Sequence, residues 1–312
     1  MDIRRRLGVA GFRDGNGTGK RFCKFDYYLM RGRCYGNGIL SKYGCTGIKW
    51  KFGLFVWWWR ERSGGESKLT IDGSASASWT FGGCYDADCG STEVTLNTTG
   101  TIAGGLYGGC RTGSSNTSRV NIKQGTVTDL IYGGGEQEAS VVTGDTYVTM
   151  DGGSCIGVYG GGWQGQVNGT THVLVNGGTI SNAIYGGGYG SDQDQDNDKG
   201  RVGNTEVKVT GVTTKSTVFG DGLYGSVTSN TSVIIEGGKF DGIYGSGLNG
   251  QIGGKADILV KGGEISVLRI ASNNIPEVGG SITIEGNPTI TSTINSCQNI
   301  TGDRADDFKL IL

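Results

Sequence analysis

Four carboxylates occupy alternate positions in one short stretch, Asp192-Gln193-Asp194-Gln195-Asp196-Asn197-Asp198. Carboxylate oxygens at this density suit Ca²⁺, a hard cation that takes several oxygen ligands. Asp192, Asp194, Asp196 and Asp198 are therefore the candidate metal ligands, and calcium is the one cofactor the sequence admits. An EF-hand loop requires glycine at its sixth position and glutamate at its twelfth. Counted from Asp194, those places hold Lys199 and Thr205. A looser calcium site and a solvated acidic loop both remain open. The sole histidine, His172, adjoins Val173 on a strand and reads as a surface or groove residue rather than a general base.

Aromatic residues form the other chemical group. Phe81, Tyr107, Tyr132, Tyr159, Tyr185, Phe219 and Tyr244 recur in one phrase, with steps of 26, 25, 27, 26, 34 and 25 residues by subtraction. Glycines follow most of them, as in Ile184-Tyr185-Gly186-Gly187-Gly188. The residues just before, Leu106, Ile131, Val158, Ile184, Val218 and Ile243, are apolar and expected to be buried. Strand alternation then turns the aromatics outward. The expectation is an exterior row, widened by Trp163, Tyr189 and Tyr224, that stacks on sugar rings or on a protein partner. Tyr107, Tyr132, Tyr159, Tyr185, Phe219, Tyr244 and Trp163 are the candidate ligand-binding residues. The competing expectation is that the rings pack on each other and stabilise a corner.

These groups must be positioned by the repeat itself. A fixed period of about 20–50 residues marks a solenoid or array. Apolar pairs two residues apart run in phase with the aromatics, among them Val94/Leu96, Val120/Ile122, Val173/Val175, Val233/Ile235 and Ile258/Val260. Spacing of two is strand spacing with one buried face. Val167, Val202 and Ile252 supply a third inward position. Glycine pairs such as Gly177-Gly178 and Gly237-Gly238 follow the first strand and permit a sharp corner. With 62 glycines among 312 residues, a helical solenoid is excluded, because glycine costs about 1 kcal/mol per helical position. The predicted fold is all-β: a single-stranded, right-handed parallel β-helix of about eight to nine coils, each of about 25 residues. One coil cannot bury its own apolar side chains, so the core forms only by stacking.

The phase of the repeat also places cysteines. Cys84 lies three residues after Phe81, and Cys110 three after Tyr107, so they share one site in adjacent coils. Strand spacing of about 4.8 Å suits a Cys84–Cys110 disulfide. Cys84–Cys89 is the rival pairing, and unbonded thiols in a ladder are the plain alternative. No pair has CxxC spacing, against zinc or thioredoxin-type chemistry.

Three regions follow. Residues 1–66 lack the repeat and carry 14 Lys/Arg against 5 Asp/Glu, with Phe55-Val56-Trp57-Trp58-Trp59 near their end. This irregular basic segment reads as a cap, as an arm for anionic polymers, or as non-authentic sequence. Residues 67–257 are the regular coils. Residues 258–312 drop the aromatic phrase and read as atypical capping coils or a truncation. The balance outside 1–66 is 14 Lys/Arg against 24 Asp/Glu, which argues against nucleic acid along the solenoid. No apolar stretch is long enough to span a bilayer.

The phrase V-x-V-x-GG-x-I-x-x-x-IYGGG, Val173 to Gly188, resembles the glycine-rich repeats of bacterial surface and secreted proteins. Those are similar to right-handed parallel β-helix adhesins and autotransporter-passenger-like stalks. The resemblance covers about residues 68–303 and implies an extracellular or cell-surface location and an adhesive or structural role without catalysis. A glycan or a host or cell-surface protein is the implied partner. Two alternatives stand beside it. One is a calcium-dependent polysaccharide lyase or hydrolase. The other is a filament subunit that self-associates end to end.

Overall fold

The computed structural model describes residues 5–13, 20–30, 33–38, 65–191, 199–272, 276–295 and 308–312. The candidate calcium ligands Asp192, Asp194, Asp196 and Asp198 lie outside them. Among the described residues there is no helix. Within residues 1–66, the strands Arg5–Arg13, Lys20–Met30 and Arg33–Gly38 pair antiparallel in that order.

From Ser67 onward the chain is a parallel β-solenoid of about nine turns of roughly 25 residues. Each turn contributes one strand to each of two parallel sheets. The first sheet stacks Ser67–Gly73, Thr92–Ile102, Ser118–Val127, Thr146–Met150, Gln166–Val175, Val202–Val209, Thr231–Ile235, Lys255–Val260, Gly279–Ile284 and Phe308–Ile311. The second runs from Thr80–Phe81 through Leu106–Tyr107, Leu130–Tyr132, Gly157–Tyr159, Ala183–Tyr185, Ser216–Phe219, Lys239–Tyr244 and Glu264–Arg269 to Thr289–Asn295. A third, thinner line of pairings joins Ser115, Val142, Val167, Val202, Val227 and Ile252. The third inward position expected at Val167, Val202 and Ile252 is therefore present, and all three are buried.

The register follows the apolar pairs. Val94, Val120, Val148, Val173, Val207, Val233 and Ile258 sit side by side on successive turns. A slip of one residue would turn each of these side chains to solvent, so the pattern specifies the register. Their side chains join Leu106, Ile131, Ile184, Val218 and Ile243 in one continuous aliphatic core.

Glycines serve two purposes. The second glycine of the pair after the first strand has positive φ: 99° at Gly178, 116° at Gly238 and 98° at Gly263. A Cβ there is strained by the backbone itself. The glycine after each aromatic is required for another reason. A Cβ on Gly133 would lie 2.2 Å from the carbonyl oxygen of Gly160, and one on Gly160 would lie 2.2 Å from that of Gly186. The next turn's backbone occupies the space of a side chain.

A row of hydroxyls closes the same corner. Thr92, Ser118, Thr146, Thr171, Thr205 and Thr231 are buried in the first sheet. Ser118, Thr146 and Thr231 donate to the carbonyls of Gly133, Gly160 and Gly245 at 2.6 Å, and Thr92 to that of Gly108 at 2.7 Å. These carbonyls belong to the glycines that follow the aromatics. Each bond therefore ties the first sheet to the second within one turn and satisfies a carbonyl turned inward.

Candidate functional site

The aromatic residues form a buried column, not an exterior stripe. Phe81, Tyr107, Tyr132, Tyr159, Tyr185 and Phe219 are between 2% and 6% exposed, and only Tyr244 is half-buried. Alternation does turn them away from the aliphatic core; they form a separate cluster. The expectation of exposure fails because the chain after each ring folds back over it. Leu130, Trp163, Tyr189, Leu223 and Leu248 pack on the rings from outside.

In-register stacking sets the ring spacing. Successive rings from Phe81 to Tyr244 have centroids 4.9, 4.9, 5.1, 4.4, 4.9 and 5.1 Å apart, with interplanar angles between 7° and 21°. The strand spacing of about 4.8 Å exceeds the optimal carbon contact of about 3.5–4.0 Å. Neighbouring rings therefore slip into offset stacks, the arrangement their quadrupoles favour. Burial pushes the phenols of Tyr107, Tyr132, Tyr159 and Tyr185 above their ordinary range, so they stay neutral.

The covering layer carries three accessible aromatics. Trp163, Tyr189 and Tyr224 are half-buried and sit on adjoining corner loops. Backbone bridges join Trp163 to Tyr189 and Tyr189 to Tyr224. The Gln164 amide donates to the Tyr189 carbonyl at 2.7 Å, and Gly190 to Leu223 at 2.9 Å. Two open depressions meet here. One, of about 680 Å³, is lined by Gln137, Glu138, Ala139, Trp163, Gln164 and Gln166. The other, of about 280 Å³, is lined by Trp163, Gln164, Tyr189, Gly190, Ser191 and Tyr224.

The backbone at this place is unusual. Gln164 (φ 67°) and Tyr224 (φ 65°) are the only described non-glycine residues with positive φ. That conformation is uncommon for residues with a Cβ and gathers at functional sites. Gln164 and Tyr224 both line the smaller depression. Aromatic faces beside amide and hydroxyl groups give this place both a stacking surface and hydrogen-bonding groups. Glu138 is the one described carboxylate lining the depressions, and the ammonium of Lys199 lies 3.6 Å away.

The remaining candidates are dispersed. His172 lies on the outer face of the first sheet, where its Nδ1 is 2.7 Å from Glu206 and its ring stacks on Tyr147 at 4.7 Å. Cys84, Cys89 and Cys110 gather in a small buried cluster. All three are free thiols, so the expected Cys84–Cys110 disulfide is absent here; the sulfurs of Cys89 and Cys110 lie 3.0 Å apart. Among the described residues, no group of three or more His, Cys, Asp or Glu side chains is arranged to hold a metal ion.

Sequence reading missed the polar lining and one buried acid. The signal for the lining was present: Glu136-Gln137-Glu138 and Gln164-Gly165-Gln166 replace the glycine and serine of other corners. Asp221 stands where other turns carry the middle glycine of a triplet, as in Gly133-Gly134-Gly135. It is fully buried, and no side chain donates a hydrogen bond to either carboxylate oxygen. Burial holds its carboxyl well above the usual range, opposed in part by the Gly247 amide.

Comparison with known proteins found no matching family model, no matching curated protein and no matching solved structure.

Proposed function

We propose that the protein is a non-enzymatic, extracellular repeat protein that binds glycan at the cleft formed by Trp163, Tyr189 and Tyr224. The observation that carries this reading is the convergence of three accessible aromatic side chains with Gln137, Gln164 and Gln166 around open depressions. The positive φ of Gln164 and Tyr224 supports it, because strain is retained where the surrounding structure over-determines a geometry. The solenoid serves as a rigid stalk that fixes successive corner loops about 4.8 Å apart. Sugar rings lie across the cleft, which replaces the continuous aromatic flank as the contact surface.

Screening the purified chain on a glycan array tests the reading. Binding to a defined set of glycans without release of cleaved sugar is the expected result. Absence of any glycan signal, or depolymerisation of the bound glycan, overturns it.

A further inference from the structure

Three cysteines come from two adjacent turns. Cys84 and Cys89 bracket one corner loop, and Cys110 follows Tyr107 on the next turn. They are 3%, 6% and 0% exposed. The sulfurs of Cys89 and Cys110 are 3.0 Å apart, and the Cys84 amide donates to the Cys110 sulfur at 3.3 Å. Gly83 makes this approach feasible: a Cβ there would lie 2.5 Å from the Cys110 sulfur and 2.9 Å from the Cys89 sulfur. A side chain at position 83 would separate the two.

We propose that this cluster is a thiol–disulfide exchange site whose oxidised form carries a Cys89–Cys110 bond between neighbouring turns. Cys84 remains a thiol. The oxidant is a small-molecule disulfide such as oxidised glutathione. Cys89 is the more exposed partner and attacks first. Its thiolate displaces one glutathione thiolate and forms a mixed disulfide. The Cys110 sulfur then attacks the Cys89 sulfur and releases the second glutathione, which takes up the Cys110 proton. Two protein thiols are oxidised and one glutathione disulfide is reduced, so electrons and protons balance. The S–H groups of Cys110 and Cys84 donate toward Cys89 and draw its pKa down, favouring it as the attacking thiolate. The corner loop 84–89 carries the exposed Asp86 and Asp88, so a small opening of that loop admits the oxidant.

The bond is read directly by mass. Cleavage before aspartate and after glutamate places Cys84, Cys89 and Cys110 on separate peptides, 72–85, 88–93 and 94–128. The folded chain is equilibrated with oxidised glutathione, alkylated and digested without reduction. The expected product joins 88–93 to 94–128 with loss of two hydrogen masses, while 72–85 is alkylated. A Cys84→Ala variant keeps the same link. A bond that includes Cys84, persistent glutathione adducts, or three alkylated thiols after oxidation overturns the proposal.

Discussion

Two layers of aromatic side chains share one corner of the solenoid and differ in what they face. The inner rings, Phe81 to Phe219, are buried and stack on each other, with Trp79 stacked on Tyr107 and Tyr244 on Phe219 at the flanks. Of the outer rings, Trp163 and Tyr189 pack on the inner ones, Tyr224 meets the edge of Tyr189, and all three border open depressions. An in-register repeat gives the inner layer its regularity, because every turn supplies a ring at the same position. The outer layer breaks the repeat: the place of Trp163 is held by Tyr189 and Leu223 on the next turns. Regular positions thus form the buried stack, and irregular ones line the depressions.

Substitutions separate the two layers. The largest effect is expected for Tyr132→Ala, which opens a gap in the middle of the stack. Its loss should be about 3–5 kcal/mol in denaturant unfolding, as for other buried aromatics. Thr146→Val keeps the shape but strands the Gly160 carbonyl, and the expected loss is about 1–3 kcal/mol by the same measurement.

Asp221→Asn should act in the opposite direction at neutral pH. The folded state raises the carboxyl above its unfolded value, so folding favours the protonated form. The contribution of Asp221 to wild-type stability is then greatest below the unfolded pKa of about 3.9 and declines as pH rises toward the folded value. The amide has no charge to bury. Stability measured across pH should show the variant exceeding wild type at pH 7, with a flatter profile. A wild-type curve that rises over this interval would remove Asp221 as the controlling group.

Much of the fold was legible in the sequence because it rests on spacing. The two-residue apolar pairs located the first sheet, and the aromatic-glycine phrase located the second. The outward turn of the aromatics was also legible from the buried Ile131 and Ile184 beside them. Their burial was not, because it depends on Trp163, Tyr189 and Leu223, each four residues after a ring, folding back over the stack, and spacing alone does not show which way such a corner residue turns. The hydroxyl row at Thr92, Ser118, Thr146, Thr171, Thr205 and Thr231 was visible as a repeated Ser/Thr two residues before each valine. Its partners were not, since they lie around 15 residues later, as for Thr171 and Gly186. The cleft was the least legible feature, because it is built from departures from the repeat, including the positive φ of Gln164 and Tyr224.

The claim that recognition sits in the outer layer alone is tested most directly by Trp163→Ala. Glycan affinity and the denaturation midpoint are to be measured on the same preparation. The account predicts at least a tenfold loss of affinity, about 1.4 kcal/mol, with a smaller loss of stability than Tyr132→Ala produces. Undiminished glycan affinity in Trp163→Ala, in a protein that remains folded, would contradict it.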